Sequence, residues 1–208
     1  MSKPDKSIDP RILQSAREEF LEKGYEKAST NAICKNAGVT TGALFKRYKN
    51  KDELFCALVS DTAEEFRQML KKQYAAFHEL SQEEQLVQAV EEKEHVEPME
   101  FVYSNLEDFK LLLACAEGSS YENYKDEITD IITEATSRFM LNTDRKPMLG
   151  GSEVSAETLR FLVGMQQHAL FEIILKDTSY EDACAHARQI QHFFDIAWSG
   201  VFNLNQSS

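Results

Sequence analysis

Between residues 9 and 51 the chain stops and restarts a helix three times. Asp9-Pro10 opens the first one. An Asp side chain can cap, and Pro at the first helical position gives up an N–H that would have no partner there. Ile12, Leu13, Ala16, Phe20 and Leu21 then recur at helical spacing. Gly24 supplies the left-handed stop, and Lys23 before it suits a helix C-terminus. Ser29 or Thr30 caps a short second helix carrying Ala32, Ile33 and Ala37, and Gly38 ends it. Thr40 caps a third short helix with Leu44, Phe45 and Tyr48, and Asn50 caps a long fourth from Lys51 to about His78. The turn Asn36-Ala37-Gly38-Val39 is only a few residues long; Gly38 takes positive φ there without strain. Cys34 is small enough to let the third helix approach closely. Short helices joined this tightly follow the helix-turn-helix pattern.

The remainder stays helical. Ser81 caps a helix with Leu86, Val87 and Val90, and Pro98 starts or kinks the next. Phe101, Leu106, Phe109, Leu112 and Leu113 continue an apolar face, and Tyr121 to Leu141 form a further helix. Residues 142–152 (NTDRKPMLGGS) read as a polar loop, followed by two long helices over about Glu153 to Lys176 and Tyr180 to Asn203. No alternating strand pattern occurs, and 8 Gly and 4 Pro in 208 residues leave too little turn punctuation for a β fold. The expected class is all-α. A three-helix head, residues 1–55, is joined through the long fourth helix to a helical domain over 56–208.

The longest tight apolar run, Leu111 to Ala116, falls far short of the roughly 18 residues a membrane span requires. Met1 to Pro10 has no apolar stretch for a signal peptide. A cytoplasmic protein without a membrane partner is expected. Cys34, Cys56, Cys115 and Cys184 lie far apart with no C-x-x-C pair, so they read as packing residues rather than metal ligands or a disulfide framework. Cys34 is the one placed for a redox role beside the head's surface.

Charge is distributed unevenly. Residues 1–55 carry 11 Lys and Arg against 8 Asp and Glu, a net of +3; residues 56–208 carry 12 against 27, a net of −15; together these make −12. From Lys27 to Lys51 there are six basic residues and no acidic one. Such a basic end on an acidic body confines phosphate binding to one part of the molecule.

Residues 12–55, ILQSAREEFLEKGYEKASTNAICKNAGVTTGALFKRYKNKDELF, resemble the N-terminal domain of the tetracycline-repressor (TetR) family. The resemblance rests on Phe20 with the Glu22-Lys23-Gly24-Tyr25 corner, on Ala37-Gly38-Val39-Thr40-x-Gly42-x-Leu44, and on Lys51-x-x-Leu54. It implies a dimeric regulator that reads double-stranded DNA and responds to a small-molecule effector. It also implies a DNA-contacting set of Ser29, Lys35, Thr40, Thr41, Gly42, Ala43, Phe45, Lys46, Arg47 and Lys51, with Lys51 as a phosphate clamp. Gly42, which costs roughly 1 kcal/mol in a helix, leaves the backbone bare for close approach. Thr40 and Thr41 offer hydroxyls to phosphate and methyls to thymine. The chain departs from the family's Tyr-x-[Tyr/His]-Phe pattern with Phe45-Lys46-Arg47-Tyr48, so Phe45 brings apolar packing in place of a phosphate-binding hydroxyl.

For the body, the expected pocket lining is Phe101, Tyr103, Phe109, Tyr121, Tyr124, Met165, His168 and Phe171. The expected homodimer interface is Leu159, Leu162, Val163, Leu170, Ile174, Ile190, Phe194, Trp198 and Val201, from the last two amphipathic helices. No cofactor is expected. No nucleophile elbow, P-loop or zinc-protease motif is present. A di-iron bundle would need two E-x-x-H motifs, and only Glu92 to His95 offers one, in a highly charged stretch. An enzyme is therefore not expected; the alternative function is a helical interaction adaptor that kept the fold without operator binding.

Overall fold

The computed structural model describes residues 8–90 and 96–204; Glu92 to His95 lie outside them. Among the described residues the order is α1 (Ile8–Lys27), α2 (Thr30–Ala37), α3 (Thr41–Phe45), α4 (Lys51–His78), α5 (Gln82–Val90), α6 (Val96–Ser104) and α7 (Leu106–Ala114). Then come α8 (Tyr124–Thr143), β1 (Met148–Leu149), β2 (Ser152–Glu153), α9 (Ala156–Leu175) and α10 (Tyr180–Val201).

The caps explain most of these boundaries. Gly24, with φ 73° and ψ 164°, breaks the regular helix inside α1. The Ser29 hydroxyl accepts from the Ala32 amide and the Thr40 hydroxyl from the Ala43 amide, so each satisfies an orphan donor of the helix it opens. Asn50 Oδ1 accepts from the Glu53 amide at 2.7 Å and starts α4. Ser81 and Glu84 form a reciprocal capping box at the start of α5. Gly38, left-handed at φ 66°, closes α2 while the Val39 amide donates to the Cys34 carbonyl at 2.9 Å.

One stretch corrects the sequence reading. Residues 148–153 form a small antiparallel hairpin where a loop is expected, with Met148 opposite Glu153 and Leu149 opposite Ser152. Gly150 and Gly151 both have positive φ, 59° and 81°, as a two-residue hairpin turn of the mirror-image type requires. The strands are two residues each, too short for an alternating pattern to register.

The chain divides into two compact units. The first takes in residues through Glu64 together with Asn105–Lys125; the second takes in Glu65–Ser104 and residues from Asp126 on. The first unit thus draws in α7 and the loop after it, which the sequence reading assigned to the body. Its core is Ile12, Ala16, Phe20, Ile33, Leu44, Leu54, Phe55 and Val59, all buried. Phe20, Tyr25 and Phe55 form an aromatic trio with ring centroids 5.2–5.9 Å apart. Polar contacts seat α7: Asp108 accepts from Arg17 and from the Thr62 hydroxyl, and the Tyr25 amide donates to the Cys115 carbonyl at 2.8 Å. Asp52 accepts from both the amide and the hydroxyl of Ser120. In the second unit, Phe139, Leu159, Val201 and Phe202 form a buried cluster backed by Phe77, Leu86 and Trp198.

Candidate nucleic-acid interface and body cavity

The head's surface is built from α2, the turn after it and α3. Ile33, Cys34, Ala37 and Leu44 are the inward side of these helices. Because that side is committed to the core, the opposite side is left to solvent. Ser29, Lys35, Thr40, Thr41, Gly42, Phe45 and Lys46 are exposed there, and Ala43 is half-buried. A Cβ added at Gly42 would find only the Thr40 hydroxyl, 4.0 Å away, so the surface over α3 is open. Phe45 is 42% exposed, a large apolar ring left on a polar face. Cys34 is buried and so has no surface from which to sense an oxidant. Burial pushes the Cys115 thiol up, and burial with Asp52 does the same at Cys56.

Two of the basic side chains expected on this face are otherwise engaged. Arg47 is half-buried; it pairs with Asp9 and donates to the Ala43 carbonyl at 3.3 Å, tying α3 to the first turn of α1. Lys51 Nζ donates to the carbonyls of Tyr25, Glu26 and Ala28 at 2.7, 3.1 and 3.4 Å, and it lies 4.4 Å over the Tyr25 ring. Both side chains hold the head together.

Sequence reasoning missed Glu19. Its carboxylate is buried and accepts from the Ser29 amide and from Lys23 Nζ, both at 2.9 Å. Burial would raise its pKa, but the Ser29 amide and the Lys23 ammonium outweigh burial and hold it below the ordinary value of 4.5. A charge thus links α1 to the start of α2 and fixes the angle at which the second helix enters. The signal was available: Glu19 stands one turn after Ser15 and Ala16 and seven residues after Ile12, on the side that turns inward. A carboxylate in that row requires buried partners.

The second unit contains a cavity of about 1190 Å³ lined by α4, α5, α6, α8, α9 and α10. Its apolar wall includes Phe66, Leu70, Phe77, Phe139 and Phe171. Tyr74 also lines it, and burial pushes that phenol up to about 12, so it stays neutral. Of the eight expected lining residues, Phe171 takes that place. Phe101 is not in the lining and stacks on the lining residue Phe66 with centroids 6.0 Å apart. Tyr103 bonds Thr178 and packs its ring on Tyr180. Phe109, Tyr121 and Tyr124 belong to the other unit, and Met165 and His168 are exposed. The physical reason is that helices apolar on several sides do not announce which side meets the cavity.

The residues expected at a dimer interface divide by burial within the chain. Leu159, Val163, Ile174, Phe194 and Val201 are buried within the chain, while Leu162 and Ile190 are half-buried. Leu170, Ile174 and Trp198 line the cavity. The large apolar side chains most exposed on α9 and α10 are Phe161, Met165, Phe193 and Ile196, each 59–65% exposed, with Tyr180 at 41%.

The head is that of a helix-turn-helix protein: two short helices meet at a tight glycine turn, with the outer side of the second open to a partner. Residues 12–58 match the model of the family described as bacterial regulatory proteins, tetR family. It is 41% identical over 49 residues to the HTH-type transcriptional regulator UidR of Escherichia coli K12, a stretch that is 24% of this chain and 25% of UidR. The chain thus covers about a quarter of that relative's length. The likeness of fold runs further. A TetR-like transcriptional regulator from Rhodococcus sp. RHA1 superposes with a TM-score of 0.57 at 19% identity, over 96% of this chain and 98% of that one. A cysteine mutant of the TetR family regulator CifR, solved with 26 bp of double-strand operator DNA, gives 0.54 at 15% identity over 92% and 98%. Among the described residues no helix is long and apolar enough to cross a membrane.

Proposed function

We propose that this protein is a sequence-specific DNA-binding transcription regulator, a homodimeric repressor released from a pseudo-palindromic operator by a small molecule held in the body cavity. The observation that carries the reading is the exposed outer side of α3 and its approach, where Thr40, Thr41, Gly42 and Lys46 stand clear of the core on the basic part of the chain. Thr hydroxyls and lysines suit phosphate oxygens, and a bare Gly42 admits a groove edge closely. The operator complex of CifR supports the same use of this fold in a relative. Selection of the purified protein against random duplex DNA at near-physiological salt tests the proposal. Enrichment of one pseudo-palindrome with half-sites about 34–36 Å apart is the expected result. A folded protein that enriches no site would be an interaction adaptor instead.

The dimer is proposed to form through Phe161, Met165, Phe193 and Ile196, since a second copy of α9 and α10 would remove these four from water in a four-helix contact. Phe161→Glu combined with Ile196→Glu is expected to give a folded monomer by sedimentation. Its operator affinity should fall by about a hundredfold or more, because the two heads no longer bind as one ligand. An unchanged dimer would place the interface elsewhere.

A further inference from the structure

We propose that the body cavity takes a large apolar organic cation, its charge facing Asp195 and its hydrocarbon lying along the aromatic wall beside it. The proposal rests on the reading of this cavity as the effector site, and it names the chemical class of the effector.

A chain of hydrogen bonds on the cavity wall fixes what the ligand meets. The Trp198 indole N–H, which can only donate, donates to Gln166 Oε1 at 2.8 Å. That bond orients the Gln166 amide, whose Nε2 must then point onward, and it donates to Gln191 Oε1 at 3.0 Å. Gln191 Nε2 in turn donates to Asp195 Oδ1 at 2.6 Å. All four residues line the cavity. Each donor in the chain is directed toward Asp195, and the carboxylate at its end keeps acceptor positions that the chain does not use.

Asp195 is half-buried, and among the described residues its carboxylate accepts from Gln191 and joins no ion pair. A partly desolvated anion without a counter-charge favours a cation that brings one. The neighbouring rings act in the same direction. Trp198 stacks on Phe202 with centroids 5.5 Å apart, Phe202 meets Phe139 edge-on at 5.7 Å, and Phe139 lies 5.9 Å from Phe77. Aromatic faces carry negative potential, so they attract positive charge while burying apolar surface. The lining groups of opposite sign are Arg188 and His192, and both are exposed. Arg188 stands two helical turns before Asp195, about 10 Å along α10. At that separation in water it opposes a cation only weakly.

The cavity contains its own reporter, because Trp198 is the single tryptophan of the chain. The test titrates the purified full chain with three probes of similar shape: tetraphenylphosphonium, tetraphenylborate and neutral triphenylphosphine oxide. Trp198 fluorescence is read throughout, and equilibrium dialysis checks binding. The phosphonium is expected to bind at least about tenfold more tightly than the borate, and Asp195→Asn is expected to remove most of that preference. Borate or oxide binding as well as the phosphonium would overturn the cation assignment, as would a preference that survives Asp195→Asn. In either case the cavity still binds a ligand, and the effector-site reading stands. No binding of any probe would overturn both. The comparison of the three probes on the unaltered protein decides the charge question even if the variant fails to fold.

Discussion

Replacing Phe20 with alanine should cost the head about 3–5 kcal/mol, the range for truncating a fully buried aromatic. Phe20 has no exposed surface, and its ring meets Phe55 edge-on at 5.2 Å and stacks on Tyr25 at 5.9 Å. Those contacts join three segments: the middle of α1, the corner after Gly24 and the first turns of α4. An alanine leaves a void in a core whose other members include the fully buried Ile12, Ile33 and Leu54, so the site has little room to collapse. Small domains have only about 5–15 kcal/mol to lose. A fall in melting temperature of roughly 12 °C or more is therefore expected by calorimetry or circular dichroism, with loss of DNA binding at 37 °C. Phe45→Ala, at a ring 42% exposed, should leave the melting point nearly unchanged. A small shift for Phe20→Ala would mean that the trio is not the centre of the head's core.

The contrast between Phe20 and Phe45 also shows what a sequence can and cannot convey here. Phe20 falls in the helical row of Ile12, Leu13 and Ala16, and a single amphipathic row implies one core side. The caps Ser29, Thr40, Asn50, Ser81, Ser155 and Ser179 are local signals, because each side chain accepts from the amide three residues on; boundaries built on them can be read residue by residue. What a long-range partner decides was hidden. Arg47 and Lys51 read as surface cations, yet their partners are Asp9, 38 residues away, and carbonyls 23–26 residues away. The stretch 105–125 reads as body because it follows body in sequence, while Asp108, Cys115 and Ser120 are held by head residues. On α9 and α10, Leu159 and Phe161 are equally apolar. Only packing shows that the first is buried and the second exposed, so the apolar pattern marks these helices as amphipathic without saying which of their side chains meet water.

Lys51→Ala should behave as the loss of a structural clasp. An ammonium has three N–H groups, and three carbonyls, those of Tyr25, Glu26 and Ala28, take all of them. These carbonyls belong to the segment between Gly24 and α2, where the chain leaves one helix before entering the next and regular pairing is interrupted. Alanine would strand acceptors next to the buried Ala28 and remove the cation from the Tyr25 ring. Hydrogen bonds to charged groups contribute about 1.5–3 kcal/mol, and a loss of that size is expected in thermal unfolding. Arginine should not restore it, since a planar guanidinium spreads its donors outward and cannot converge them on one cluster of carbonyls. DNA binding separates this role from a phosphate contact. If Lys51 serves the head, the variant binds more weakly at temperatures near its own transition, while the slope of log affinity against log salt stays that of the parent. A slope shallower by about 0.9 would mean that Lys51 leaves its carbonyls for a phosphate when DNA arrives.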